Sequence, residues 1–168
     1  MSTRETTMPE TEYVIEPGKQ EIITTTVLDA PRELVFRAYT DPKLFARWWG
    51  PRRYTNEIVK FDSRAGGEWR VIQRGADGSE HGFHGVNHDV VAPERICQTF
   101  EYEGFPGHVA LQTATFESLG NKTRVVAHVV FTSVMDRDGM VASGMKEGAD
   151  ESMERLAGLL EQLKVSRR

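Results

Sequence analysis

The stretch Asp29-Ala-Pro-Arg-Glu-Leu-Val-Phe-Arg-Ala-Tyr-Thr-Asp-Pro-Lys-Leu-Phe-Ala-Arg-Trp-Trp-Gly-Pro51 decides how this chain is read. Asp29 is placed to cap a helix, and Pro31 suits its first turn, where a missing N–H costs nothing. Leu34, Val35, Ala38 and Tyr39 give that helix an apolar side. Thr40-Asp41-Pro42 repeats the same cap-then-proline signal. A second short helix should follow, with Leu44, Phe45, Trp48 and Trp49 as its apolar residues, and Gly50-Pro51 should end it.

On either side of this segment the pattern is that of strands. Residues 20–28 are rich in Ile, Thr and Val and predict a first strand. Strands are expected at 54–61, 68–73, 79–91, 95–102, 110–119 and 123–131, separated by turn signals such as Gly66-Gly67, Gly75-Ala-Asp-Gly78 and Gly120-Asn121. That makes about seven antiparallel strands. A long helix should then start at a cap on Asp136 or Asp138 and reach about residue 164. Val141, Met145, Ala149, Ser152, Leu156, Leu160 and Leu163 recur at spacings of three and four and form one stripe. About 25 residues of helix would span nearly 40 Å, enough to cross the sheet. Residues 1–13 are polar and read as a disordered tail, which leaves 14–168 as a single domain.

Composition narrows the functional classes. The chain has 168 residues, 39% hydrophobic and 27% charged, with a net charge of −4 and both signs interspersed. No basic stripe invites nucleic acid, and no apolar run is long enough for a membrane span. The lone Cys97 cannot form an internal disulfide, and no secretory signal is visible, so a cytoplasmic setting is expected.

The order of elements, together with Ala30-Pro31, Val35-Phe36, Asp41-Pro42 and Trp48-Trp49, resembles the AHSA1-like (activator of Hsp90 ATPase homologue 1-like) branch of the SRPBCC, or START/Bet v 1-like, superfamily. Asp62-x-Arg64-x-Gly66-Gly67, Gly85-Val86, Pro93-Glu-Arg95 and Gly144-Met-x-x-Gly148 belong to the same resemblance, which covers about residues 20–164. It implies an α+β helix-grip fold, a curved antiparallel sheet wrapped around the C-terminal helix with a cavity between them. No counterpart of the eukaryotic co-chaperone's N-terminal domain is expected in the few polar residues before the first strand.

Candidate chemistry is sparse. His81, His84 and His88 suggest a metal, but strand residues four apart lie roughly 13 Å apart, and residues three apart face opposite sides. No metal site and no cofactor are expected. No nucleophile elbow, phosphate loop or facing carboxylate pair can be placed. Asp62-x-Arg64 reads as a turn-forming ion pair. Adjacent helical residues point about 100° apart, so at most one of Trp48 and Trp49 should reach a cavity. Gly144 and Gly148, one turn apart in the expected helix, each cost about 1 kcal/mol against alanine and need a packing or ligand reason.

The function implied is binding of an apolar or amphipathic small molecule between sheet and helix. Phe45, Trp48, Phe83, His84 and Val86 are the candidate contacts from the short helices and strands. Met145, Ala149 and Ser152 are those from the final helix. Two alternatives stand beside it. One is a co-chaperone-like interaction module for an Hsp90-type ATPase. The other is a polyketide cyclase or aromatase-like enzyme, with His84, His88 or Tyr54 as its acid–base group. The chain is expected to be a monomer or homodimer.

Overall fold

The computed structural model describes residues 8–166. The rest of the expected tail, residues 1–7, lies outside them. One eight-stranded antiparallel sheet runs in the order β1-β2-β8-β7-β6-β5-β4-β3. The strands are β1 (Thr11–Val14), β2 (Glu21–Leu28), β3 (Tyr54–Phe61), β4 (Glu68–Gly75), β5 (Glu80–Val91), β6 (Arg95–Tyr102), β7 (Val109–Leu119) and β8 (Lys122–Val130). Helices α1 (Arg32–Thr40) and α2 (Pro42–Trp48) follow β2, and α3 (Val134–Ala142) and α4 (Met145–Ser166) end the chain. The helix-grip architecture expected from the sequence is present.

Three details differ from expectation. The sheet has eight strands rather than seven, because Thr11–Val14 pairs with β2 where a disordered tail was expected. Tyr13 explains the ordering: its hydroxyl proton is shared between Asp150 Oδ1 at 2.7 Å and the Lys146 carbonyl at 3.0 Å, tying β1 to α4. Secondly, the final helix is two helices. Ser133, not Asp136 or Asp138, caps α3 by accepting from the Asp136 N–H. Gly144 then takes φ +87°, a conformation only glycine adopts cheaply, and α4 starts afresh at Met145. Thirdly, Asp29 does not cap α1, whose N-cap is Pro31 with no side-chain bond. Asp41 does cap α2, accepting from the Lys43 N–H at 2.9 Å, with Pro42 at its first position as the sequence predicts.

Two apolar clusters hold the layers together. The larger joins α1, α2 and the second half of α4 to the sheet through Leu34, Val35, Trp48, Trp69, Phe116, Leu156 and Leu160. The smaller gathers Ile22, Ala110 and Phe131 with Met140, Val141 and Met145 at the other end. Arg137, only 2% exposed, secures α3 by donating to the Glu16 and Glu21 carbonyls at 2.8 and 3.2 Å. No described helix is long and apolar enough to cross a membrane.

Candidate functional site

Register decides which strand residues face the helices. Trp69 pairs with Gly85, Val71 with Phe83 and Gln73 with His81, and Phe83 in turn pairs with Tyr102. Further along, Asn87 pairs with Gln98 and Gln98 with Gln112, and Gln112 pairs with Val129 and Val129 with Ile22. Strand side chains alternate, so His81, Phe83, Gly85 and Asn87 share the inner face. His84 and Val86 belong to the outer one.

That corrects two of the expected contacts. His84 sits on the convex face, its Nδ1 2.9 Å from Glu103 Oε2 and its Nε2 3.5 Å from Glu101 Oε1. Val86 is exposed beside it. Phe83 and His84 are adjacent in one strand, so they could never have faced the same ligand. His88 is exposed at the β5 bulge, which leaves Tyr54 as the inner-facing member of the acid–base candidates.

On the outer face Arg70 donates to both Glu103 oxygens at 2.8 and 2.9 Å. The Arg70 guanidinium, more than the neighbouring His84, pulls the Glu103 carboxyl down to about 2. A carboxylate held below its unfolded value stabilises fully above that value and loses the effect as pH falls toward 2. The drop in urea midpoint between pH 6 and pH 3 should therefore be smaller in Glu103→Gln than in wild type. The pair is partly open to water, so the difference should be about 1 kcal/mol.

The tryptophan pair divides differently from expectation. Trp48 ends α2 and is 2% exposed, its indole N–H donating to the Ala38 carbonyl at 3.0 Å. Trp49 lies past the helix in extended backbone (φ −71°, ψ 130°), so the helical 100° step does not apply to it. Its ring stacks on Phe45 at 5.4 Å and meets Phe83 edge-on at 5.2 Å. Trp49 therefore reaches the sheet, and Trp48 plugs the core. Phe45 is also buried, against Trp48, Trp49 and Phe61.

On α4, Ser152 is buried and its hydroxyl accepts from the Gly50 N–H at 2.7 Å, which commits it to the loop after α2. Arg155 works beside it. Its guanidinium donates to the Arg47, Trp49, Gly50 and Pro51 carbonyls, fastening residues 47–51 along the helix. Burial and the neighbouring Arg52 lower its affinity for protons, yet an arginine stays charged. Met145 packs into the smaller apolar cluster, and Ala149, one turn on, lies between the two clusters on the same helix face.

On the inner face of the sheet Thr24, Ala127 and Gln112 lie between strand residues of the two clusters, and Gln98 pairs with Gln112. All four keep partial access to water, and neither apolar cluster includes them. The helix makes its close backbone approaches to α1, α2 and α3, whereas α1 is the helix that comes down on β7 and β8. Beyond Gln98 the inner face continues as an aromatic wall. Phe83 lies near-parallel to Phe100 at 5.5 Å and to Tyr102 at 5.2 Å, with His81 and Tyr54 at its end. Sequence reasoning missed Trp49, Gln98, Phe100 and Tyr102 as members of this surface. A count of strand parity from any one buried residue would have found the last three.

The comparisons with known proteins agree with this architecture. A family profile described as activator of Hsp90 ATPase homolog 1-like protein matches residues 29–161. A protein from Arthrobacter aurescens is 23% identical with a TM-score of 0.83, over 90% of this chain and 91% of its own. One from Chromobacterium violaceum is 28% identical with a TM-score of 0.76, over 84% and 97%. The AHSA1 protein of Silicibacter pomeroyi shares the fold at 18% identity and a TM-score of 0.71, over 84% and 98%. No curated protein matches the sequence. With the profile matched from α1 into α4, and the sheet and helices in the arrangement just described, the chain belongs to the activator of Hsp90 ATPase homolog 1-like family.

Proposed function

We infer that the protein binds a small amphipathic molecule between the first half of α4 and the inner face of the sheet. The observation that supports this reading is the stretch Thr24, Ala127, Gln112 and Gln98 on the inner face, which is neither apolar core nor fully buried. A solid core would place large aliphatic side chains there. Here the inner face carries small and polar residues instead, with the aromatic rings of β5 and β6 beyond Gln98. Few polar groups among apolar walls is the usual composition of a small-molecule site. Met145 adds an adaptable side chain suited to varied apolar shapes. A surface depression of about 350 Å³ on the opposite face, lined by Glu10, Glu12, Thr25, Val27 and Arg124, is charged and open and suits such a ligand less well.

The experiment is displacement of 1-anilinonaphthalene-8-sulfonate, with native mass spectrometry on the same samples. Wild type should bind the dye, and Ala149→Trp should weaken it at least about 10-fold by filling the space, since losing about 60 Å² of apolar contact is worth about 1.4 kcal/mol. The variant's melting temperature should hold or rise. Dye binding unchanged in Ala149→Trp would place the dye elsewhere and remove the reading.

A further inference from the structure

At the open end of the aromatic wall three polar rings meet on the inner face. His81 on β5 lies between Tyr102 on β6 and Tyr54 on β3. Its Nδ1 is 2.7 Å from the Tyr102 hydroxyl, and its Nε2 is 3.5 Å from the Tyr54 hydroxyl. All three rings are half-buried, and none belongs to the apolar clusters. The guanidinium of exposed Arg53 lies over the Tyr54 ring, 5.0 Å from its centroid. Tyr102 also forms part of the wall, lying 5.2 Å from Phe83, which in turn meets Phe100 and Trp49.

We propose that Tyr54, His81 and Tyr102 form the polar recognition site of this pocket, and that the ligand is a planar aromatic compound bearing a hydroxyl group. The assignment rests on the ligand-binding reading above and adds the ligand's chemistry to it. The argument is one of unspent hydrogen-bonding capacity. The short bond fixes Nδ1 to Tyr102, while the 3.5 Å separation leaves Nε2 only loosely engaged by Tyr54. If Tyr102 donates to Nδ1, Nε2 carries the proton and offers a donor. If Nδ1 carries it, Nε2 is an acceptor and the Tyr102 hydroxyl proton is free to donate. In either tautomer the cluster presents at least one donor or acceptor that a hydroxyl, being both, satisfies. The rings of Trp49, Phe83, Phe100 and Tyr102 supply faces and edges against which a flat aromatic skeleton packs.

The test compares 2-naphthol with 2-methylnaphthalene, which has the same shape without the oxygen, by quenching of tryptophan fluorescence in wild type, His81→Phe and Tyr102→Phe. Wild type should prefer 2-naphthol about 10-fold, since a site built around a hydroxyl discriminates against the analogue lacking it. His81→Phe should bring the two ligands to within about 2-fold, with 2-methylnaphthalene bound as before. The retained hydrocarbon affinity shows that the walls are intact. Tyr102→Phe should narrow the preference in the same direction, and it carries the test if His81→Phe fails to fold. Equal binding of both compounds by wild type overturns the hydroxyl assignment and leaves the pocket standing. A preference that survives in both variants moves recognition to other residues and also overturns it. Binding of neither compound removes the pocket itself and this assignment with it.

Discussion

Trp48→Ala should destabilise the protein by about 3–5 kcal/mol, the range for truncating a buried large aromatic. In a chain of this length that lowers the melting temperature by about 10 °C or more. The indole is almost fully enclosed, it packs edge-on against Tyr39 at 4.7 Å and Phe45 at 5.2 Å, and its N–H satisfies the Ala38 carbonyl. Removing it leaves a cavity between α1 and α2 and an unpaired buried acceptor, two costs that add. Trp49→Ala is the informative contrast. Its ring is partly accessible and lies against Phe83, so its loss should cost less stability while weakening 1-anilinonaphthalene-8-sulfonate binding. Urea unfolding and dye titration on both variants separate the two roles. Equal loss of stability in the two would contradict the division of the pair into plug and wall.

Gly85→Ala is expected to cost about 3 kcal/mol, the upper end for overpacking a well-packed core. A methyl group there would land on the Thr99 carbonyl oxygen, which is backbone and cannot swing aside. The same oxygen accepts from the Trp69 indole N–H at 3.2 Å, which crosses over Gly85 to reach it. The substitution must therefore push β5 from β6 or expel Trp69 from the core. Gly158→Ala serves as the control. It lies in α4 with open space around it, and relief of the glycine penalty should stabilise by about 0.5–1 kcal/mol. A neutral Gly85→Ala in urea unfolding would mean that the sheet is looser at its centre than the packing of Trp69 indicates.

Much of the fold was legible because it is written locally. Asp41-Pro42 carries its own capping chemistry, and Gly120 at φ +75° marks its hairpin without help from distant residues. The same holds for Asp62 and Arg64, whose side chains pair at 2.8 Å within one turn. The break at Gly144 was not legible. A glycine inside a helix and one just past a helix end are the same residue in the same apolar stripe. Only Ser143 N–H bonding back to the Met140 carbonyl, with Gly144 at positive φ, tells them apart. β1 was missed for a related reason, since its ordering depends on Thr26 and on Lys146 and Asp150, all far away in sequence.

The candidate site was the least legible part. Alternation guarantees that Phe83 and His84 oppose each other, but the sequence of β5, with polar and apolar residues on both sides, does not say which one faces in. That choice is made where Phe83 meets Trp49 and Phe100, and where Arg70 and Glu103 take His84 on the other side. By itself the sequence determined the order of β2 to β8 and of the two short helices, the family and the existence of an apolar stripe on the last helix. These follow from short-range periodicity, capping and turn chemistry. The tertiary structure alone decided which tryptophan faces the sheet, which histidine lies inside, and that small and polar residues sit between the two apolar clusters. Each is a pairing of residues 14 to more than 100 positions apart, and its energy exists only once the sheet and helices have come together.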